Sequence, residues 1–274
     1  MKQDKINIDF SKPQVMAILN ITPDSFYKES RTFTPYEIEK RVAQIVAEGA
    51  TIIDIGGYSS RPGADEVSLE EEVRRVERGL EIVRRIAPDM AVSIDTFRAP
   101  VAKLAIVRFG ALIINDISAG ELDPELMNIA AKYKVPYIAM HMRGTPKTMQ
   151  QQTGYVDVVG DVVDFFRGKV EQLRSLGVDD IILDPGFGFA KDVEQNYELL
   201  ANTHRLKEFG VPILVGVSRK SMIYKVLEKS PSEALTGTIA LNWEALRQGA
   251  TIIRVHDVSE AAETVKIYNK FLRQ

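Results

Sequence analysis

Eight short apolar runs, each closing on a polar residue, limit what this chain can fold into more than any other feature. They are VMAILN (15–20), TIIDIGG (51–57), AVSIDT (91–96), ALIIND (111–116), PYIAMH (136–141), DIILDPG (180–186), PILVGVSR (212–219) and TIIRVH (251–256). Each is too short for a helix, rich in Val and Ile, and apolar at odd and even positions alike. A strand without a polar face must be covered on both sides, as parallel strands flanked by helices are.

The segments between the runs carry apolar residues at i, i+3, i+4. TPYEIEKRVAQIVAEGA starts on a Thr cap and ends on Gly49, and SLEEEVRRVERGLEIVRRIAP pairs Ser68 with Glu71 at capping-box spacing and stops at Pro88. DVEQNYELLANTHRLKEFG reads as one helix, and YKVLEKS as an extra short one. In EGATIIDI, FGALIIND, LGVDDIILD and QGATIIRV a helix ends on Gly and a β-branched strand follows at once. Strands and helices alternating in this way predict a (β/α)₈ TIM barrel. A doubly wound sheet would have fewer strands and a G-x-G-x-x-G turn, which is absent. The expected organisation is a single domain over residues 1–274, with residues 1–13 an N-terminal extension. Within it KINIDF is expected to form a strand or hairpin that closes the barrel bottom.

At 274 residues the chain can hide roughly three quarters of its unfolded surface. Its net charge of −3 supplies no global field for nucleic acid or an anionic membrane, so an anion site must be a local cluster of cations. It has no cysteine, which excludes disulfides, zinc–thiolate sites, iron–sulfur clusters and cysteine nucleophiles. No segment reaches the ~20 apolar residues of a bilayer span, and MKQDKINIDF has no long apolar stretch. A soluble, cytoplasmic protein is expected.

Barrel chemistry gathers at the C-terminal ends of the strands. Those ends supply Asn20, Asp54 with Gly56 and Gly57, Asp95, Asn115 with Asp116, His141, Asp184, Ser218 with Arg219 and Lys220, and Arg254 with His256. Asp95, Asn115 and Asp184 form one chemical set. Carboxylate and amide oxygens accept N–H bonds, and a carboxylate takes two in parallel, which suits the amidine-like edge of a 2-amino-4-oxo pyrimidine. A lone strand-end Asp more often caps the next helix; three that converge are harder to explain so. Arg61, Lys220, Arg254 and His256 form the second set, a local anion site in an acidic chain, and the ends of strands seven and eight are where barrels commonly hold phosphate. A salt-bridged rim is the plainer alternative. Between the sets lie Phe187 and Phe189 of DPGFGF, whose Gly186 and Gly188 allow close approach to a ligand. Core packing would equally account for the rings. His141 reads as pocket lining and His204 as helix surface.

On eight motifs the chain resembles the dihydropteroate synthase family: MAILNITPDSF (16–26), DIGGYSSRPGA (54–64), SIDT (93–96), NDISAG (115–120), HMRGTP (141–146), DPGFGF (184–189), GVSRKS (216–221) and RVHDV (254–258). These cover nearly the whole chain, in order and at barrel strand ends. The resemblance implies a sulfonamide-targeted transferase of folate biosynthesis. It would join 6-hydroxymethyl-7,8-dihydropterin pyrophosphate to p-aminobenzoate with release of pyrophosphate. Asp95, Asn115, Asp184, Lys220 and Met140 would hold the pterin, and Asn20, Arg61, Arg254 and His256 the pyrophosphate. Ser60, Arg61, Pro62, Phe189, Lys220 and Ser221 would shape the p-aminobenzoate pocket, with Arg219 a further lining candidate. Mg²⁺ would be the cofactor, ligated by Asn20. Asp95, Lys220, Arg61 and Phe26 would act in catalysis, and a homodimer through outer helices is expected.

Asn20 opens the long polar stretch NITPDSFYKESRTF, and residues 21–33 are expected to act as a lid with Phe26 covering the site. The family often continues with Ser-Asp-Gly-Gly where this chain has Tyr27-Lys28-Glu29-Ser30, and Glu29 is the acidic candidate in its place. Ser60 stands where Thr is frequent and keeps the hydroxyl; Tyr58 stands where Glu is frequent. Two other readings use the same residues. One is a pterin-binding methyltransferase acting on methyltetrahydrofolate and a corrinoid, which needs no pyrophosphate site. The other is a barrel that binds ligand without catalysis.

Overall fold

The computed structural model describes residues 8–22, 34–59, 65–110 and 112–272. Its strands are β1 (Gln14–Asn20), β2 (Ile52–Gly56), β3 (Ala91–Asp95), β4 (Leu112–Asp116), β5 (Tyr137–Met140), β6 (Ile181–Asp184), β7 (Leu214–Val215) and β8 (Ile252–Val255). They pair in parallel in the order β6-β5-β4-β3-β2-β1-β8-β7. A parallel bridge between Leu183 and Ile213 joins the two ends of that order and rounds the sheet into a barrel. The helices alternate with the strands: α1 (Pro35–Glu48), α2 (Leu69–Ile86), α3 (Ala99–Phe109), α4 (Glu125–Tyr133), α5 (Val158–Ser175), α6 (Val193–Ala201), α7 (Ser221–Tyr224), α8 (Leu235–Gln248) and α9 (Val258–Phe271). Among the described residues no helix is long and apolar enough to cross a membrane.

The strand period of two sorts the barrel interior into layers. The base layer is Met16, Ile52, Ile113, Ile138, Ile182, Leu214 and Ile252, with Ala91 beside them, and Ile8 and Phe10 pack against it from below. Residues 8–13 do this as a turn rather than a strand, and residues 1–7 lie outside the described residues. Two positions further along each strand the interior becomes polar: Asp54, Ser93, Asn115, Asp184 and Arg254, interrupted by Ile18, Met140 and Gly216. Two positions further again come Asn20, Gly56, Asp95, Ser218 and His256. The outward residues of the same strands, such as Val15, Ala17, Leu19, Ile53 and Ile55, join the helices in the larger core with Ile38, Leu80 and Phe166. The strands are therefore apolar on both faces at the base layer, and their inner face turns polar toward the mouth.

Caps set the helix entries. Thr34 and Glu37 make a reciprocal box at α1, and Asp192 and Gln195 make another at α6. The box expected at Ser68 is only half made. Ser68 accepts from the Glu71 amide at 3.2 Å, but the Glu71 carboxylate turns to Arg74 and Arg75 instead of back to the cap. The stretch read as one helix around His204 divides into α6 and a 3₁₀ segment, Thr203–Phe209. Asn202 and Thr203 direct their side chains to the carbonyls of Glu198 and Leu199, the local bonding by which these residue types interrupt helices. His204 lies on the surface, bonded to Gln248.

Candidate active site

Register places the mouth residues side by side. Asn20 pairs with Gly56, Gly56 with Asp95, and Asp95 with Asn115 across four consecutive strands. Gly56 is small where space is needed, since a β-carbon there would sit 3.1 Å from Asn20 Oδ1 and 3.7 Å from Asp95 Cβ. From β8, on the other flank of β1, Arg254 bridges two carboxylates, donating through Nε to Asp54 Oδ2 and through Nη2 to Asp95 Oδ2, each at 2.6 Å. The Asn115 amide also donates to Asp54 Oδ2, at 3.1 Å. Asp54 is fully buried, and its Oδ1 has no hydrogen-bond partner among the described residues.

This packing sets the protonation of the group. Burial works against the Arg254 charge, but Asp54 and Asp95 outweigh it and hold its pKa above the ordinary guanidinium value. Burial lifts the Asp95 carboxyl to about 7; Arg254 opposes that shift, and Asp54, Glu72 and Asp116 add to it. Asp116, next to Asn115, takes the plainer role of a strand-end Asp: it accepts from the Ser118 and Gly120 amides at 2.8 and 2.7 Å and from the Tyr137 hydroxyl at 2.6 Å.

The loop after β6 forms the next wall. Asp184 Oδ1 accepts from the Gly186 amide at 2.8 Å, and burial raises the pKa of its carboxyl against the pull of Lys220. Gly186 has φ 72°, and a β-carbon there would fall 2.0 Å from the His141 carbonyl oxygen, so only glycine fits this turn. Phe187 is fully buried beneath the loop, and its carbonyl accepts from Lys220 Nζ. The same ammonium lies 5.1 Å from the centre of the Phe189 ring. Burial brings the Lys220 pKa down to about 8, with Asp184 resisting.

On the opposite rim His256 Nδ1 lies 3.0 Å from Ser218 Oγ, and the His256 carbonyl accepts from Arg41 at 2.7 Å. Burial, then Arg254, Arg219 and Arg41, depress the His256 pKa to about 3, so the ring is neutral and offers hydrogen bonds rather than charge. Arg219 lines the cavity as expected, and its guanidinium is also engaged as a brace. It clasps Asp257 with Nε and Nη2 and donates to the carbonyls of Pro231 and Ser232 at 2.9 and 2.6 Å, which ties the loop after β7 to the segment before α8.

A cavity of about 410 Å³ opens among these groups, lined by Asn20, Asp95, Phe189, Lys220, Ser221 and the Arg254–His256 pair. Asn115 and Asp184 occupy the polar layer beneath it. Met140 packs in an apolar cluster with Ile117, Met142, Met149 and Ala190, against Phe97 and Phe189. His141 is buried behind this cluster, edge-on to Phe165 at 4.9 Å. Phe26, Glu29, Ser60, Arg61 and Pro62 lie outside the described residues, as does most of the expected lid; of the latter only Ile21 and Thr22 are described, both buried. Sequence reasoning gave Asp54 no role and did not reach Lys191, although a period-two count from Ile52 would have placed Asp54 in the barrel. Tyr58, also unassigned, packs edge-on to Phe97 at 5.0 Å with the Arg98 guanidinium 5.3 Å from both rings, and it lines the cavity.

Comparisons with known proteins show the family to which the chain belongs. The profile of the family described as "Pterin binding enzyme" matches residues 16–256. The chain is 45% identical over 262 residues to the dihydropteroate synthase of Synechocystis sp., covering 94% of this chain and 90% of that one. It is 42% identical over 265 residues to the dihydropteroate synthase of Escherichia coli, covering 95% and 92%. Among solved structures, a Yersinia pestis dihydropteroate synthase in complex with a sulfonamide drug superposes with a TM-score of 0.91 at 40% identity, covering 97% of this chain and 96% of that one. A Xanthomonas albilineans dihydropteroate synthase with 4-aminobenzoic acid gives 0.84 at 36% identity, covering 96% and 94%. The chain belongs to the pterin binding enzymes and, within them, to the dihydropteroate synthase family.

Proposed function

We infer that the chain condenses 6-hydroxymethyl-7,8-dihydropterin pyrophosphate with p-aminobenzoate to give 7,8-dihydropteroate and pyrophosphate. The observation that carries this reading is the composition of one mouth: an Asp–Asn–Asp set in and above the polar layer, with Arg254 and Lys220 at the same cavity. Asp184 and Asn115 suit the donor-rich pyrimidine edge of the pterin, and Lys220 its ring. Arg254, neutral His256 and Asn20 face the pyrophosphate. Phe189, Ser221 and Lys220 suit the p-aminobenzoate side, to which the family resemblance adds Ser60, Arg61 and Pro62 from outside the described residues. The C–O bond to pyrophosphate breaks, the positive charge left on the exocyclic methylene spreads into the ring, and the Asp95 carboxylate stabilises it. The arylamine nitrogen then forms the new C–N bond and gives its proton to water. An anilinium is acidic enough to need no strong protein base, in keeping with a chain that has no cysteine and, among the described residues, no Ser-His-Asp set. Phe26 and its loop would cover the site and exclude water.

Among the described residues no group of three or more His, Cys, Asp or Glu could hold a metal ion. Asn20 offers one hard amide oxygen at the cavity, which fits an Mg²⁺ carried mainly by substrate phosphates and water, and bound there the ion would offset charge on the departing pyrophosphate. A homodimer in the cytoplasm completes the reading, with sulfonamides competing at the p-aminobenzoate side. The methyltransferase alternative leaves the Arg254–His256 rim without a task.

The pH profile of synthase activity, with Mg²⁺ present and chelated, tests this. Asp95 must be ionised and Lys220 protonated, so kcat/KM is expected to rise through about pH 7 and to fall above about pH 8, and chelation is expected to abolish it. Stability moves oppositely on the acid side. The folded chain holds the Asp95 proton more tightly than the unfolded one, whose value is 3.8, so that contribution is lost as pH rises toward 7. A flat profile from pH 6 to 9 would remove both residues from the chemistry.

A further inference from the structure

We propose that Lys191 is a positioning residue for this reaction: it fixes the loop after β6 from beneath and, through that loop, places the Lys220 ammonium in the cavity. The inference rests on the synthase reading for its kinetic consequences and on hydrogen-bond geometry for the rest.

Lys191 is 3% exposed. Its Nζ lies 3.1 Å from the Gly186 carbonyl oxygen, 3.1 Å from that of Phe189 and 3.0 Å from His141 Nδ1. Three acceptors meet the three protons of an ammonium, so the donor capacity of the group is filled. Among the described residues no carboxylate lies within ion-pair distance of it. An uncompensated buried ammonium is costly, and here dipoles and one imidazole hold it. Burial accordingly lowers its pKa to about 7, with Asp184 opposing and Lys220 and Arg143 adding to burial. A protonated Lys191 can only donate, so in that state His141 Nδ1 accepts and the ring proton lies on Nε2.

The two carbonyls mark the ends of one loop. Gly186 takes its turn two residues after Asp184, and Phe189 lines the cavity. Between them the Phe187 carbonyl receives Lys220 Nζ, and the Phe189 ring lies beside the same ammonium. Lys191 therefore holds both ends of the segment whose middle sets Lys220. A loop loosened from below would move its carbonyl and its ring together, and misplacement by ~1 Å can lower turnover ~100-fold.

The test uses Lys191→Met, which keeps the length of the side chain and removes the three donors. The unsubstituted chain is assayed first, and its turnover alone decides the synthase reading. Relative to it the variant is expected to lose ~100-fold in kcat with a smaller change in KM. Hydrogen exchange followed by mass spectrometry is expected to quicken over residues 186–190 and to stay unchanged in the β1–β3 strands. Because the chain has no cysteine, Lys191→Cys can be alkylated selectively with 2-bromoethylamine in denaturant and refolded, which restores an amine at nearly the original reach. Recovery of kcat and of loop protection on alkylation is the expected result. Unchanged kcat in Lys191→Met, exchange quickened throughout the barrel, or alkylation that restores protection without activity would each overturn the proposal.

Discussion

Replacing Arg254 with Met is expected to destabilise the fold by about 3–5 kcal/mol and to lower turnover by at least ~100-fold. The guanidinium lies between Asp54 and Asp95, touching both at 2.6 Å, in a layer where Asp54 is fully buried. Removing one partner of a buried charge group leaves the others uncompensated, and here two carboxylates are left. Among the described residues Asp54 already has one oxygen without a partner and would lose its strongest donor to the other. The deficit has a pH signature. Arg254 restrains the rise in the Asp95 pKa, so without it Asp95 takes a proton at higher pH and the penalty shrinks as pH falls. Urea unfolding at pH 5 and pH 8 reads this directly, with the larger deficit expected at pH 8. Equal midpoints for the variant and the unsubstituted chain at both pH values would contradict the network described for the barrel interior.

Asp184→Asn is expected to separate activity from stability. Oδ1 of Asn can still accept from the Gly186 amide, so the loop keeps its anchor. Burial already disfavours the carboxylate, and a neutral isostere relieves that cost while Lys220 and Lys191 lose the charge that supports theirs, so the melting temperature should change little. The carboxylate is nevertheless the group proposed to accept two parallel N–H bonds from the pterin, and an amide can accept only one and opposes the other. A loss on the order of 100-fold in kcat/KM for the pterin substrate follows, with the KM for p-aminobenzoate little changed. Steady-state kinetics in both substrates check this, and normal kinetics in a folded variant would remove Asp184 from pterin recognition.

The barrel itself was legible in the chain because each run carries its own local signal, β-branched, short and largely apolar, and several helices, α1, α2, α5 and α6 among them, begin on a side-chain cap. What proved illegible is what depends on distance. Asp54 and Arg254 are 200 residues apart, and nothing local to either position shows that they meet inside the barrel. Arg219 reads as a rim cation beside Lys220, yet Asp257 and two carbonyls near α8 turn it into a brace. The caps teach the same lesson at short range. Thr34–Glu37 and Ser68–Glu71 share one spacing, but only the second Glu has Arg74 and Arg75 competing for it. Mouth residues at the ends of β1, β3 and β8 were found because register makes strand ends neighbours. Lys191 was not, since two of its three partners are backbone carbonyls and the third, His141, is 50 residues away.

The measurement that bears most directly on the central claim is product stoichiometry with the full chain. Supplied with Mg²⁺, 6-hydroxymethyl-7,8-dihydropterin pyrophosphate and p-aminobenzoate, it should form 7,8-dihydropteroate and release one pyrophosphate per product, and a sulfonamide should suppress both. Pyrophosphate release without dihydropteroate, or no reaction of the two substrates at any pH between 6 and 9, would contradict the account.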